Sequence, residues 1–163
     1  MTLPELLCAV LVLGLLASFA SQGCARNLAR LRVEAATRQL AVGLEQARSA
    51  AERSGQPCVL VLGDHGWLVP NEAKRDQALP PCLLSENPIE TGVSVRHTMA
   101  GPLRISSTGL VLDGGTVMLR AQDTDLQRCL VVSLPLGMVR IGRSTANAAA
   151  QPRSSDCVAD PSL

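Results

Sequence analysis

Glu5-Leu6-Leu7-Cys8-Ala9-Val10-Leu11-Val12-Leu13-Gly14-Leu15-Leu16-Ala17-Ser18-Phe19-Ala20 is followed by no further charge until Arg26, and this stretch decides the fold. An apolar segment of this length can cross the roughly 30 Å hydrocarbon core of a bilayer as a helix. A carboxylate at its edge is expensive in lipid unless it meets a positive partner, so Glu5 is a functional candidate on physical grounds alone. Pro4 suits the first turn of such a helix, whose amides lack intrahelical acceptors. A secretory signal peptide would carry Lys or Arg ahead of its apolar core, and Met1-Thr2-Leu3-Pro4 carries none. Gly23-Cys24 looks like a lipoprotein processing site, but Ser21 and Gln22 suit one poorly. A plain single-pass anchor accounts for the run and leaves Glu5 unexplained.

Beyond the run, apolar residues recur at Ala29, Val33, Ala36, Leu40, Leu44, Ala47 and Ala51, in steps of three and four that match the helical period. Arg30, Arg32, Glu34, Arg38, Glu45, Arg48, Glu52 and Arg53 lie off that stripe. The two stretches read as one long helix, apolar all round in its first half and amphipathic in its second. Ser54-Gly55-Gln56-Pro57 ends it, with Gly in the position after the C-cap and Pro close behind.

After Pro57 the period becomes strand-like. Cys58 to Leu62 and Trp67 to Val69 flank Gly63-Asp64-His65-Gly66, a hairpin signal. Asn71 to Gly92 is polar and aperiodic, and reads as a surface loop held near Cys82. Further strands are expected at Val93 to His97, Leu103 to Ser106, Thr116 to Arg120, Leu130 to Leu134 and Met138 to Ile141. Gly114-Gly115 and Pro135-Leu136-Gly137 form the sharpest turns. The expected class is α+β, a long N-terminal helix packed on an antiparallel β-sheet domain. It divides into an apolar helix over 1–25, an amphipathic helix over 26–56, a β domain over 57–143 and a small polar tail over 144–163, mobile except near Cys157.

Composition removes several functions. Of 163 residues, Phe19 and Trp67 are the only aromatic ones, so base-stacking platforms of the kind used on single strands are not expected and the core must be Val, Leu, Ile and Ala. A net charge of +1 gives no whole-protein field toward nucleic acid or anionic lipid. Asp64, His65, Ser106 and Ser107 stand in no nucleophile elbow, acid–base pair or phosphate loop, so no enzyme is expected and no cofactor is implied. Without a Cys-x-x-Cys spacing, and with His65 and His97 isolated, no metal site is expected. Asp64 and His65 read as turn residues, and Trp67 as the core anchor of the hairpin.

Thr2-Leu3, Glu5-Leu6-Leu7 and Leu13-Gly14-Leu15-Leu16-Ala17 resemble the start of a mature type IV pilin or type II secretion pseudopilin. A more specific likeness lies further on. Leu40 to Pro57, Gly66-Trp67, Ser107-Thr108-Gly109, and Cys129 to Ser133 through Gly137 to Arg140 are similar to the landmarks of the GspH/FimT (FimU-like) family of minor pilins and pseudopilins. Met1 and Pro4 depart from the usual residues at their positions.

The resemblance implies assembly rather than catalysis. Met1 is the N-methylated mature terminus left by a prepilin peptidase, and Glu5 neutralises the positive terminus of a neighbouring subunit. The partners it implies are other minor and major pilins or pseudopilins and the inner-membrane assembly platform. It implies a single-pass inner-membrane protein with a periplasmic domain, which then enters a pilus or pseudopilus as an assembly or tip subunit. Gly14 and Ala17 suit close helix approach. Some members take part in DNA uptake, and Gly137 to Arg143 resembles the motif concerned. Arg140 and Arg143 are therefore candidate DNA contacts, though Met138 stands where the family often has Arg, and binding through so few phosphate contacts would be weak and salt-sensitive. Solvated strand-end arginines are the simpler reading of both.

Cys8 and Cys24 belong to the apolar helix and its exit, where thiols act as small apolar groups. Cys58, Cys82, Cys129 and Cys157 fall in the part that the anchor would place in the periplasm, where disulfides persist. Of the three pairings open to them, Cys58 with Cys82 and Cys129 with Cys157 is favoured, because each would staple a turn-rich loop. Each closure is worth about 3 kcal/mol.

Overall fold

A computed structural model describes residues 3–69, 79–134, 136–147 and 150–160, and within the helix all side chains except those of Ala9 and residues 15–22. One helix, α1, runs unbroken over Leu3–Ser54, 52 residues, or about 78 Å at the ordinary helical rise. It stops where expected. Gly55 takes a positive φ of 64°, the left-handed conformation that ends helices and that glycine adopts without strain.

Every residue of the apolar stripe from Ala29 to Ala51 is buried. Thr37 sits within that stripe and satisfies its hydroxyl internally, donating to the Val33 carbonyl oxygen at 2.7 Å. The stripe packs on two antiparallel sheets. The first has the order β3-β2-β1-β5, with β1 at Cys58–Gly63, β2 at Gly66–Leu68, β3 at Asn87–Pro88 and β5 at Leu103–Ile105. The second has the order β4-β6-β7-β8-β9, with β4 at Val93–His97, β6 at Gly115–Ala121, β7 at Gln127–Ser133, β8 at Met138–Ser144 and β9 at Cys157–Ala159. Leu60, Leu62, Leu103 and Ile105 from one sheet and Val117, Leu119, Leu130 and Val132 from the other form a single core with the helix. Each buried aliphatic side chain contributes on the order of 2 kcal/mol relative to exposure.

The expected α+β arrangement is therefore present, with two sheets where one was anticipated. β1 and β2 form the expected hairpin, Leu62 opposite Trp67 and Gly63 opposite Gly66, so Asp64-His65 is its two-residue turn. β7 begins at Gln127 rather than Leu130, and β8 continues to Ser144 rather than ending at Ile141. In both cases hydrogen-bonded partners on the neighbouring strand extend the pairing past the apolar run. Two short edge strands lie in segments read as loop and tail. β3 is held by α1: Gln39 Nε2 donates to Asn87 Oδ1 at 2.6 Å and to the Pro88 carbonyl at 2.8 Å. β9 pairs with the end of β8, so the sheet reaches beyond residue 143. Residues 71–78 of the expected loop, Pro135 of the expected turn, and residues 148, 149 and 161–163 of the tail lie outside the described residues.

Trp67 fixes how the first sheet meets the helix. Its side chain is fully buried, and its indole Nε1–H donates to the Leu40 carbonyl oxygen at 2.9 Å. That approach depends on Gly43, one turn along. A Cβ there would overlap Trp67 Cδ1 and Nε1. Gly43→Val should accordingly destabilise the domain by about 1–3 kcal/mol, the usual cost of overpacking a core. Trp67 is the sole tryptophan, so urea titration followed by its emission checks this, and the folded variant should emit to the red of wild type.

Candidate functional site

Among the described side chains of α1, the first buried one is Ala29. Before it the helix stands clear of its own domain: the described side chains of Leu3, Leu6, Leu7, Val10, Leu11, Val12 and Leu13 are all more than half exposed. A contiguous apolar surface of this extent marks a protein or membrane contact. Glu5 lies in the first turn of this projecting part and is exposed, at the helix end where the macrodipole favours negative charge. Met1 lies outside the described residues. Among the described residues no helix is long and apolar enough to cross a membrane; the run from Leu6 to Ala20 falls partly on side chains outside them.

The apolar exterior continues onto the second half of the helix. Leu28, Leu31 and Val42 are exposed on the face away from the sheets. α1 is thus two-faced over the domain, with a buried stripe of small and aliphatic residues and an outer face that keeps isolated large apolar side chains.

Both expected disulfides are formed, Cys58–Cys82 and Cys129–Cys157, and Cys8 and Cys24 are free and exposed. The first ties the end of the long loop to the head of β1, where Val59 N donates to the Pro80 carbonyl and Cys82 N to the Val59 carbonyl, each at 2.9 Å. The second joins β7 to β9, whose Cα atoms there are 5.8 Å apart although β8 lies between the two strands. Two strand spacings in a flat sheet would be about 9.6 Å, so β9 folds over β8. It does so at Gly142, where a Cβ would overlap the Val158 carbonyl and press on Cys157 Sγ.

The two candidate DNA-contact residues are not brought together. Arg140 lies opposite Val131 and Arg143 opposite Arg128. Three residues apart on a strand, they project from opposite faces of β8. Arg140 Nη2 donates to the Ser154 carbonyl at 2.9 Å on the outer face, whereas Arg143 joins Arg128 and Glu34 around a cavity on the helix side.

Arg128 is a further residue of consequence, not singled out from the sequence. Only 4 % exposed, it pairs with Glu34 of α1 at 3.1 Å and with Asp160, just past β9, at 2.6 Å. A buried charge needs such partners. Its sequence signal is an arginine heading a run of apolar strand residues, Cys129 to Val132.

At the other end of the domain, the turn after β5 is held by the close of α1. Arg48 Nε donates to the Gly109 carbonyl at 3.0 Å. Gly109 has φ of 74°, and a Cβ there would overlap the Glu52 carboxylate. This gives a physical reason for the Ser107-Thr108-Gly109 landmark. Among the described residues no group of three or more His, Cys, Asp or Glu side chains is placed to hold a metal ion.

The profile of the family described as type II transport protein GspH matches residues 36–135. The chain belongs to the GspH family. Its function is of the pseudopilin or minor-pilin kind, exercised by assembly with other pseudopilins. The GspH match covers α1 from Ala36 onward and both sheets as far as the β7–β8 turn, so Glu5, the projecting helix, β8 and β9 lie beyond it. No curated protein and no solved structure matches the chain.

One carboxylate of this GspH domain has a shifted titration. Arg104 binds Asp113 in bidentate fashion at 2.7 and 2.9 Å, and its backbone N–H adds a third hydrogen bond at 3.0 Å. Hydrogen bonding from Arg104 holds the Asp113 carboxyl below its ordinary range. A depressed folded-state pKa gives stability that is present above the unfolded value, about 3.9, and lost as pH falls through the folded one. Wild type and Asp113→Asn should therefore differ by up to about 1 kcal/mol at neutral pH for so exposed a pair, and converge in acid. Urea titrations across the acid range check the convergence; a gap independent of pH would show that the pair contributes nothing.

Proposed function

We propose that the protein is a minor pilin, an assembly or tip subunit of a type IV pilus, with α1 as both membrane anchor and filament-core helix. Before assembly its apolar first half lies in the inner membrane and its domain faces the periplasm, where the two disulfides persist. During assembly the same surface packs against the helices of neighbouring pilins. The observation that carries this reading is the projecting apolar helix with Glu5 in its first turn. A carboxylate there is stable in a low-dielectric filament core only beside a positive group, and the amino terminus of a neighbouring subunit supplies one. The role is structural, and no catalytic residue is assigned.

A pseudopilus of type II secretion is the second reading, favoured by the description of the family whose profile matches. Both filaments use the same helix and the same charge pair. Arg140 and Arg143 diverge across β8, so a DNA-uptake role has no shared surface at these positions.

Glu5→Ala should abolish recovery of the protein in sheared filaments while leaving the domain folded. Immunoblots of sheared and membrane fractions measure the first, and the emission and urea midpoint of Trp67 the second. Incorporation at the wild-type level would overturn the charge-pair account.

A further inference from the structure

Three arginines meet where α1 enters the domain. Arg30 from the helix, Arg128 from β7 and Arg143 from β8 line one open cavity of about 610 Å³ together with Asn27, Glu34 and Asp160. Both carboxylates are engaged by Arg128 through its two terminal nitrogens. The third nitrogen of that side chain, Nε, is buried and has no hydrogen-bond partner. Arg30 and Arg143 make no ion pair among the described residues. Three guanidinium groups against two carboxylates leave the cavity with one net positive charge, and its free donors are the guanidinium groups of Arg30 and Arg143. Arginine presents a planar fork suited to bidentate contact with phosphate oxygens.

We propose that this cavity binds a phosphate-bearing anion, held between Arg30 and Arg143 over the buried Arg128. Arg30 lies about 15 Å along the helix axis from Ala20, where the apolar run ends. The phosphate of an anionic phospholipid headgroup is then the nearest source, a placement that rests on the membrane reading above. The binding chemistry itself does not depend on it, and inorganic phosphate carries the same recognition features. A bound headgroup would hold the domain at a fixed height on the membrane until the subunit is withdrawn into a filament.

The test uses the full chain, labelled with ¹⁵N-arginine, in maltoside micelles. Short-chain phosphatidylglycerol, inorganic phosphate and a short single-stranded oligonucleotide are titrated separately at constant ionic strength, with chloride as the control. The Nε–Hε resonances of Arg128 and Arg143 should shift saturably with phosphatidylglycerol or phosphate. Arg143→Gln and, on an exposed helix position, Arg30→Gln should each weaken the apparent affinity about tenfold, the loss of one charge-assisted contact. Saturation by phosphate but not by phosphatidylglycerol would support the site and remove its membrane placement. Shifts that do not saturate, that chloride reproduces, or that both variants leave unchanged would overturn the proposal. Preferential saturation by the oligonucleotide would overturn it in favour of nucleic acid.

Discussion

The indole of Trp67, closed onto Gly43 and hydrogen-bonded to the Leu40 carbonyl, sets the height and angle at which the first sheet meets α1. A protein with almost no aromatic side chains has one large apolar group to place, and it is placed where the helix backbone is bare. Around it the stripe includes the small residues Ala29, Ala36, Ala47 and Ala51, so both sheets approach closely. Arg128 secures the second sheet to the same helix one end away, by joining Glu34 to the chain just past β9. Arg48 and Glu52 secure the opposite end around Gly109. The domain is in this sense built on half a helix.

Among the described residues, the leucines and valines from Leu3 to Leu13 gain nothing from the fold of their own chain, each being more than half exposed. Burial of this surface must come from lipid or from other helices, and each such side chain removed from water contributes on the order of 2 kcal/mol. Under the proposed function the same length of helix would serve as anchor and as packing surface without any change in the domain. A positive group on a neighbouring subunit would favour Glu5 in the filament core. That difference would give direction to transfer from membrane to filament.

The helix was legible because its stripe repeats over seven positions with no conflicting signal, and its stop combines a positive-φ glycine with a proline. The long strands were legible from apolar runs between turn residues. β3 and β9 were not, since strands of two and three residues on a sheet edge are held by contacts distant in sequence: Gln39 for the one, the Cys129–Cys157 bond for the other. The cysteine pairing was readable from loop position, but the fold of β9 over Gly142 was not. The divergence of Arg140 and Arg143 follows from their odd spacing once β8 is known to run through both. Arg128 was hidden because its partners are Glu34 and Asp160, one far upstream and one far downstream.

The natural thiols Cys8 and Cys24, free and exposed on the projecting helix, allow the central claim to be tested without mutation. Reaction with a water-soluble maleimide would be compared between sheared filaments and the same protein dissociated in detergent, with mass spectrometry locating the label. If α1 forms the filament core, Cys24, at the exit of the apolar run, reacts in detergent and is protected in the filament, whereas Cys8, inside the run, is covered in both states. Equal labelling of Cys24 in the two states would contradict that burial and, with it, the assembly role of the helix.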